Sequence, residues 1–163
     1  MALVGFKQQF RAGVIKGLYP NPHQWHDFLH GQFIQYQNKG GEENFQQWCQ
    51  AFHGLWQLSA IPKNQTIRKM RKNPFKHGET LYFYSGLRTK NTLKLGEAKA
   101  KRVSHIFMTN HAMIVEVTID GKYLQTWEIQ NIAIADGFGT LEAFRDFFVP
   151  DHDDEFNGQL IRW

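Results

Sequence analysis

The sequence predicts an α+β fold: a small β-barrel of five to six strands with flanking helices and an inserted helical hairpin. Two observations predict it. Short apolar stretches bounded by turn residues occupy residues 4–10 and recur from residue 63 to the end, as in a small barrel. Residues 19–62 instead follow the 3.6-residue period of amphipathic helices and hold nine aromatics, one base and three acids. A chain of 163 residues, 42% hydrophobic and 15% aromatic, suits one domain with its own core, here residues 1–163 with 19–62 as the insertion.

Residues 4–10 alternate, with Val4, Phe6, Gln8 and Phe10 on one side, and read as the first strand. Residues 11–18 form a short helix, with Val14, Ile15 and Leu18 at helical spacing and Gly17 near its end. Asn21 is an N-cap, with Pro22 at the first helical position and Gln24 placed to reach back. Trp25, Phe28, Leu29 and Tyr36 mark that helix's apolar face, and Gly40-Gly41 ends it. Glu42 and Glu43 then favour the positive end of a second helix, on which Phe45, Trp48, Cys49, Phe52, Leu55 and Trp56 make a stripe. Residues 65–68 are extended, 80–84 form a strand, and 95–108 hold one bent strand or two. Residues 112–119 and 123–127 flank the hairpin signal Asp120-Gly121. Thr140 caps a helix over 140–148, and 159–163 form the last strand.

Charge is segregated. Residues 63–102 hold twelve basic residues against two acids, a local charge of +10, whereas 136–155 hold seven acids and one base. A phosphate-bearing partner suits the basic segment; a solvated basic surface is the plain alternative. A single cysteine, Cys49, excludes an intramolecular disulfide and a multi-thiolate zinc site. No apolar run reaches the roughly 20 residues that span a bilayer. The opening residues lack a signal-peptide layout. The expectation is a soluble cytoplasmic protein, with no membrane partner and no cofactor.

The most informative stretch is Lys63-Asn64-Gln65-Thr66-Ile67-Arg68. Strand alternation puts Thr66 and Arg68 on one face, so that they share a cleft if Ile67 faces the core. Lys63 joins them only from a bend before the strand. Thr66 then serves as a nucleophile or hydrogen-bond donor, and Lys63 as a base if desolvation or Arg68 lowers its pKa. The alternative is an edge strand with two solvated cations.

Several blocks resemble the ASCH domain of the PUA-like superfamily, especially its small bacterial and phage-type members. Val4–Phe10 is similar to the opening strand. Gly17 with Lys63, Thr66 and Arg68 resembles the hallmark glycine–lysine–arginine motif. Pro74 to Leu81, with Glu79 where Asp is common, resembles the turn into the next strand. Ser85-Gly86-Leu87-Arg88-Thr89-Lys90 with Leu95-Gly96-Glu97-Ala98 resembles the basic loop. Asp136-Gly137-Phe138, the following helix and Leu160-Ile161-Arg162-Trp163 are similar to the family's ending. The resemblance covers residues 3–18 and 63–163 and departs at the insertion, since glycine and lysine stand nearly adjacent in the family.

The resemblance implies a PUA-like barrel binding RNA, or a nucleotide or nucleoside, in its cleft. The candidate nucleic-acid contacts are Lys63, Arg68, Arg71, Lys72, Arg88 and Lys90. Some small members are acetylcytidine amidohydrolases and others are reported as ribonucleases. Carried over, the catalytic set is Thr66, Lys63 and Asp136, with Asp where the amidohydrolases have Glu. The third reading is an adaptor that meets a protein partner through the aromatic insertion. The cleft is expected to have Lys63 at its rim, Asp136 opposite and the insertion overhanging. His23, His26 and His30 share a helix face, but no nearby acid pair or cysteine completes a metal site, and none is expected.

Overall fold

The computed structural model describes residues 2–42, 44–50, 52, 54–57, 59–89 and 92–163. In chain order the elements are β1 (Ala2–Phe6), α1 (Arg11–Leu18), α2 (Pro22–Gln37), α3 (Phe45–Gln50), β2 (Gln65–Lys69), β3 (Thr80–Ser85), β4 (Leu93–Lys99), β5 (Arg102–His111), β6 (Ile114–Ile119), β7 (Lys122–Tyr123), α4 (Thr126–Ala135), α5 (Leu141–Phe148) and β8 (Glu155–Arg162). The protein is α+β. Its strands number eight among the described residues, not five to six. They form two sheets, β1-β3-β4 and β2-β8-β5-β6-β7, and the strand pairings do not close into a ring. No described helix is long and apolar enough to cross a membrane.

The first sheet joins β1 parallel to β3, and β3 antiparallel to β4. Ala2, Val4 and Phe6 turn one face of β1 inward, as the alternation requires. The strand stops at Phe6, earlier than the sequence pattern implies, and a 3-10 turn at Gln8–Phe10 follows. The turn carries Phe10 off the sheet and sets its ring edge-on to Phe138, 5.4 Å between centroids. In the second sheet β8 pairs with both β2 and β5, leaving β2 at an edge. The stretch 95–108 is divided between β4 and β5. Leu81, Phe83 and Leu95 from one sheet, Ile106, Met108 and Leu160 from the other, and Val14 and Ile15 of α1 belong to one buried cluster.

At the hairpin signal, Asp120 (φ 51°) and Gly121 (φ 81°) are both left-handed, which matches the twist of tightly joined strands. The strand expected at 123–127 is only the two-residue β7. At Gln125 the chain turns into α4: the Gln125 N–H donates to the Glu128 carboxylate at 2.8 Å, and Ile129, Ile132 and Ala133 are buried. The helix spacing of those three outweighs the alternation of Tyr123, Gln125 and Trp127. Thr140 caps α5 by accepting from the Ala143 N–H at 3.1 Å.

Within 19–62, α2 begins with the expected reciprocal cap of Asn21 and Gln24. It buries Trp25, Leu29 and Phe33. Asn44 caps α3, accepting from the Gln47 N–H at 2.9 Å; Glu43 lies outside the described residues. The helix is also shorter than its apolar stripe. Beyond it, the Trp56 indole N–H donates to the Tyr19 carbonyl at 2.9 Å and ties the end of the segment to its beginning.

Two glycines of α1 set the position of the motif lysine. The Lys63 N–H donates to the Gly13 carbonyl at 2.9 Å, and a Cβ on Gly17 would overlap the Lys63 carbonyl. Gly17→Ala should therefore destabilise the protein by about 1–3 kcal/mol, as overpacking does. Gly31→Ala, on an exposed turn of α2 with nothing within 4 Å, should stabilise it by about 0.5–1 kcal/mol. Paired denaturant unfolding curves of the two variants check both signs.

Candidate functional site

Lys63 is buried, not at a rim. It enters β2 from the bend against α1 and sends its ammonium to the C-terminal end of α4. There it donates to the backbone carbonyl of Asp136 and to the Asp136 carboxylate, 2.5 Å away. The local sequence builds this acceptor pair. Asp136 caps α4, and Gly137 takes the left-handed conformation (φ 91°) that an L side chain resists. Gly137 N–H then bonds the Ile134 carbonyl and Phe138 N–H the Ala133 carbonyl, both at 2.9 Å, which closes the helix. A cation at this end is favoured by the helix dipole as well as by the carboxylate.

Burial works against charge on both partners. It pulls Lys63 down from 10.5 to about 8, with Asp136 resisting the change and Arg68 adding to it. It pushes Asp136 up from 3.8 to about 6, against the pull of Lys63, Arg68 and the Ile67 N–H. The pair is therefore ionised near neutrality at a desolvation cost.

Thr66 and Arg68 line a cavity of about 90 Å³ together with Lys63 and Asp136. The rest of its lining is mostly aromatic, with Phe6, Phe10, Phe138, Phe147 and Phe148 beside Gly5, Lys7 and Ile67. Lys63 lies over the Phe10 ring at 5.1 Å and Arg68 over the Phe6 ring at 4.8 Å. Arg68 Nε is buried without a hydrogen-bond partner among the described residues. The Thr66 hydroxyl has no partner there either, and Lys63 makes no hydrogen bond to it. Three cations, Lys7, Lys63 and Arg68, line the cavity with one carboxylate, Asp136, an excess of positive charge. The volume equals about three waters and is below that of a drug-sized pocket.

The other expected contacts are dispersed. Arg71 is exposed and stacks on Phe75, 3.6 Å from its centroid; Lys72 is exposed beside it. Arg88 is exposed on the loop after β3, with φ 72°. Lys90 lies outside the described residues. No described residue of the insertion lines the cavity. Phe52 lines a broader groove of about 650 Å³ beside it, with which the cavity shares Phe6 and Lys7. His26 and His30 pack edge-on against Phe45. Three other groups do converge: exposed Asp153 accepts from His111 and His152, at 3.0 and 2.7 Å.

The aromatic walls escaped sequence reasoning. Phe10 continues the apolar alternation of residues 4–10, which places it on a strand face. The aromatic content of the Asp136–Phe138 segment and of α5 was the available signal. Comparison with protein-family models, with curated proteins and with solved structures returns no match.

The pair's titration has a definite sign. Between about pH 4 and 6, native Asp136 holds a proton that the unfolded chain has released, so stability falls as pH rises. Between about pH 8 and 10.5, unfolded Lys63 holds a proton that the native state has released, so stability rises with pH. Relative to a Lys63→Met/Asp136→Leu double variant, the protein should be least favoured near pH 6–8 and recover on either side. Urea unfolding of both across pH 4–10 measures the difference.

Proposed function

We propose that this protein is an ASCH-type member of the PUA-like superfamily that binds RNA, or a nucleoside, by placing one base at the cavity between β2 and the end of α4. The observation that carries this reading is the pairing of unsatisfied polar groups with aromatic walls. A buried Arg68 Nε without a partner costs about 1–3 kcal/mol, and a ligand acceptor would remove that cost. The Thr66 hydroxyl offers a donor and an acceptor on the same side. Aromatic rings suit the face of a base. The convergence of Gly17, Lys63 and Arg68 across the 44-residue segment 19–62 supports the family reading, because these are the residues that carry the resemblance.

Calorimetric titration with the four ribonucleosides and a short mixed-sequence RNA tests it. Arg68→Met should weaken binding about 10- to 100-fold, the worth of a hydrogen bond from a charged donor, and Thr66→Val should weaken it less. Absence of binding to any of these ligands, or unchanged affinity in both folded variants, sinks the proposal.

A second reading is favoured by one observation. Lys63, drawn down to about 8, lies in the same cavity as the free Thr66 hydroxyl. With Thr66 as nucleophile, Lys63 as base and Asp136 orienting it, the site would hydrolyse a small acylated nucleoside of the acetylcytidine kind. Ribonuclease action would use the same cleft. Turnover of N4-acetylcytidine should rise with pH up to about 8 and vanish in Thr66→Ala and Lys63→Met. A protein that binds the nucleoside but leaves its acetyl group intact at pH 8 and above is a binder only.

A further inference from the structure

We infer that the groove beside the cavity is a second nucleotide subsite, in which Lys7 and Arg11 hold the linking phosphate and Phe52 of the insertion stacks the neighbouring base. This rests on the base-binding reading of the cavity and extends it: the ligand class becomes an oligonucleotide of two or more residues, not a free nucleoside.

The geometry of the groove carries the inference. It holds about 650 Å³ and runs from the shared wall of Phe6 and Lys7 to Ser85, Thr92 and Phe52. The cavity alone, at about 90 Å³, takes little more than a base edge, so sugar and phosphate must lie outside it. The shared wall makes the groove the adjoining space.

Its charge fits a phosphate. No acid is among the described residues that line it. Arg11 is fixed by one hydrogen bond, from its Nε to the Ser85 hydroxyl at 3.1 Å. Its two terminal nitrogens have no partner among the described residues, and neither Arg11 nor Lys7 joins an ion pair there. A guanidinium anchored at Nε and free at its fork presents the arrangement that phosphate oxygens accept. Also lining the groove, the Thr89 and Thr92 hydroxyls both donate to the Gly86 carbonyl, at 2.7 and 2.9 Å. Phe52 is held by Trp48, 4.6 Å between centroids, and faces the groove as a half-buried ring. Stacking on such a ring tolerates any base.

The test compares cytidine, uridine, adenosine and guanosine with the dinucleotides CpC, UpU, ApA and GpG by calorimetry at several salt concentrations. The best-bound dinucleotide should exceed its own nucleoside at least tenfold in affinity. Phe52→Leu keeps apolar packing but removes the ring face, and should weaken the dinucleotide about 5- to 100-fold while leaving the nucleoside unchanged. Arg11→Gln should weaken the dinucleotide and reduce the salt dependence of its affinity, leaving the nucleoside unchanged. Equal affinities for nucleoside and dinucleotide, or a preference untouched by either folded variant, overturns the second subsite but not the cavity. A protein that binds none of the eight overturns the second subsite, and one that also fails to bind the mixed-sequence RNA overturns both.

Discussion

The Lys63–Asp136 pair is the constraint on which the site depends. A lysine ammonium and an aspartate carboxylate, both nearly inaccessible to water, lie 2.5 Å apart at the end of a helix. Removing two charges from water is expensive, and an apolar pair of similar volume is often at least as stable. Here the cost is offset by the Asp136 carbonyl, by the helix end and by the Phe10 ring beneath the ammonium. What the arrangement adds is placement. It fixes the start of β2 against the end of α4, and Thr66 and Arg68 are thereby carried to the cavity wall.

Arg68 makes the balance incomplete. One carboxylate lines the cavity with three cations, and the Arg68 Nε has no hydrogen-bond partner among the described residues. Such a surplus inside aromatic walls is costly in an empty cavity and favourable around an electron-rich ligand edge. Burial lowers the basicity of Lys63 and Arg68 adds to this, while Asp136 restores part of it. Binding and hydrolysis therefore call on one electrostatic arrangement. They differ in where the lysine proton resides when the ligand arrives.

Local chemistry was legible in the sequence wherever one residue type has one structural use. The Asn21–Gln24 cap, the Asp120-Gly121 turn and the Thr140 cap follow from side-chain reach and left-handed backbone. The shared face of Thr66 and Arg68 follows from strand period. Two things were hidden. Apolar alternation at 4–10 and 123–127 continues past the strands, because Phe10 leaves the sheet to reach Phe138 and Gln125 begins a helix. The burial of Lys63 was also hidden: it depends on the flat face of Gly13 and Gly17, a contact across about 50 residues that no local pattern encodes. For the same reason Arg71, Lys72 and Arg88, neighbours in a basic run, lie apart from the cavity that Arg68 enters.

The 44 residues at 19–62 separate Gly17 from Lys63 in sequence without parting them in space. Closing a longer loop costs little, since the entropy grows only with the logarithm of its length. The segment also lowers that cost by structure of its own. Its aromatics pack around Tyr19, whose ring lies 5.4 Å from Trp25 and 5.2 Å from Phe28, and Trp56 returns to the Tyr19 carbonyl. The two ends are thus pinned together before the chain reaches Ile61. The Gly13 carbonyl then receives the Lys63 N–H, and β2 starts in register with β8. A segment anchored this way can add a wall, such as Phe52 at the groove, while the lysine stays where the helix end requires it.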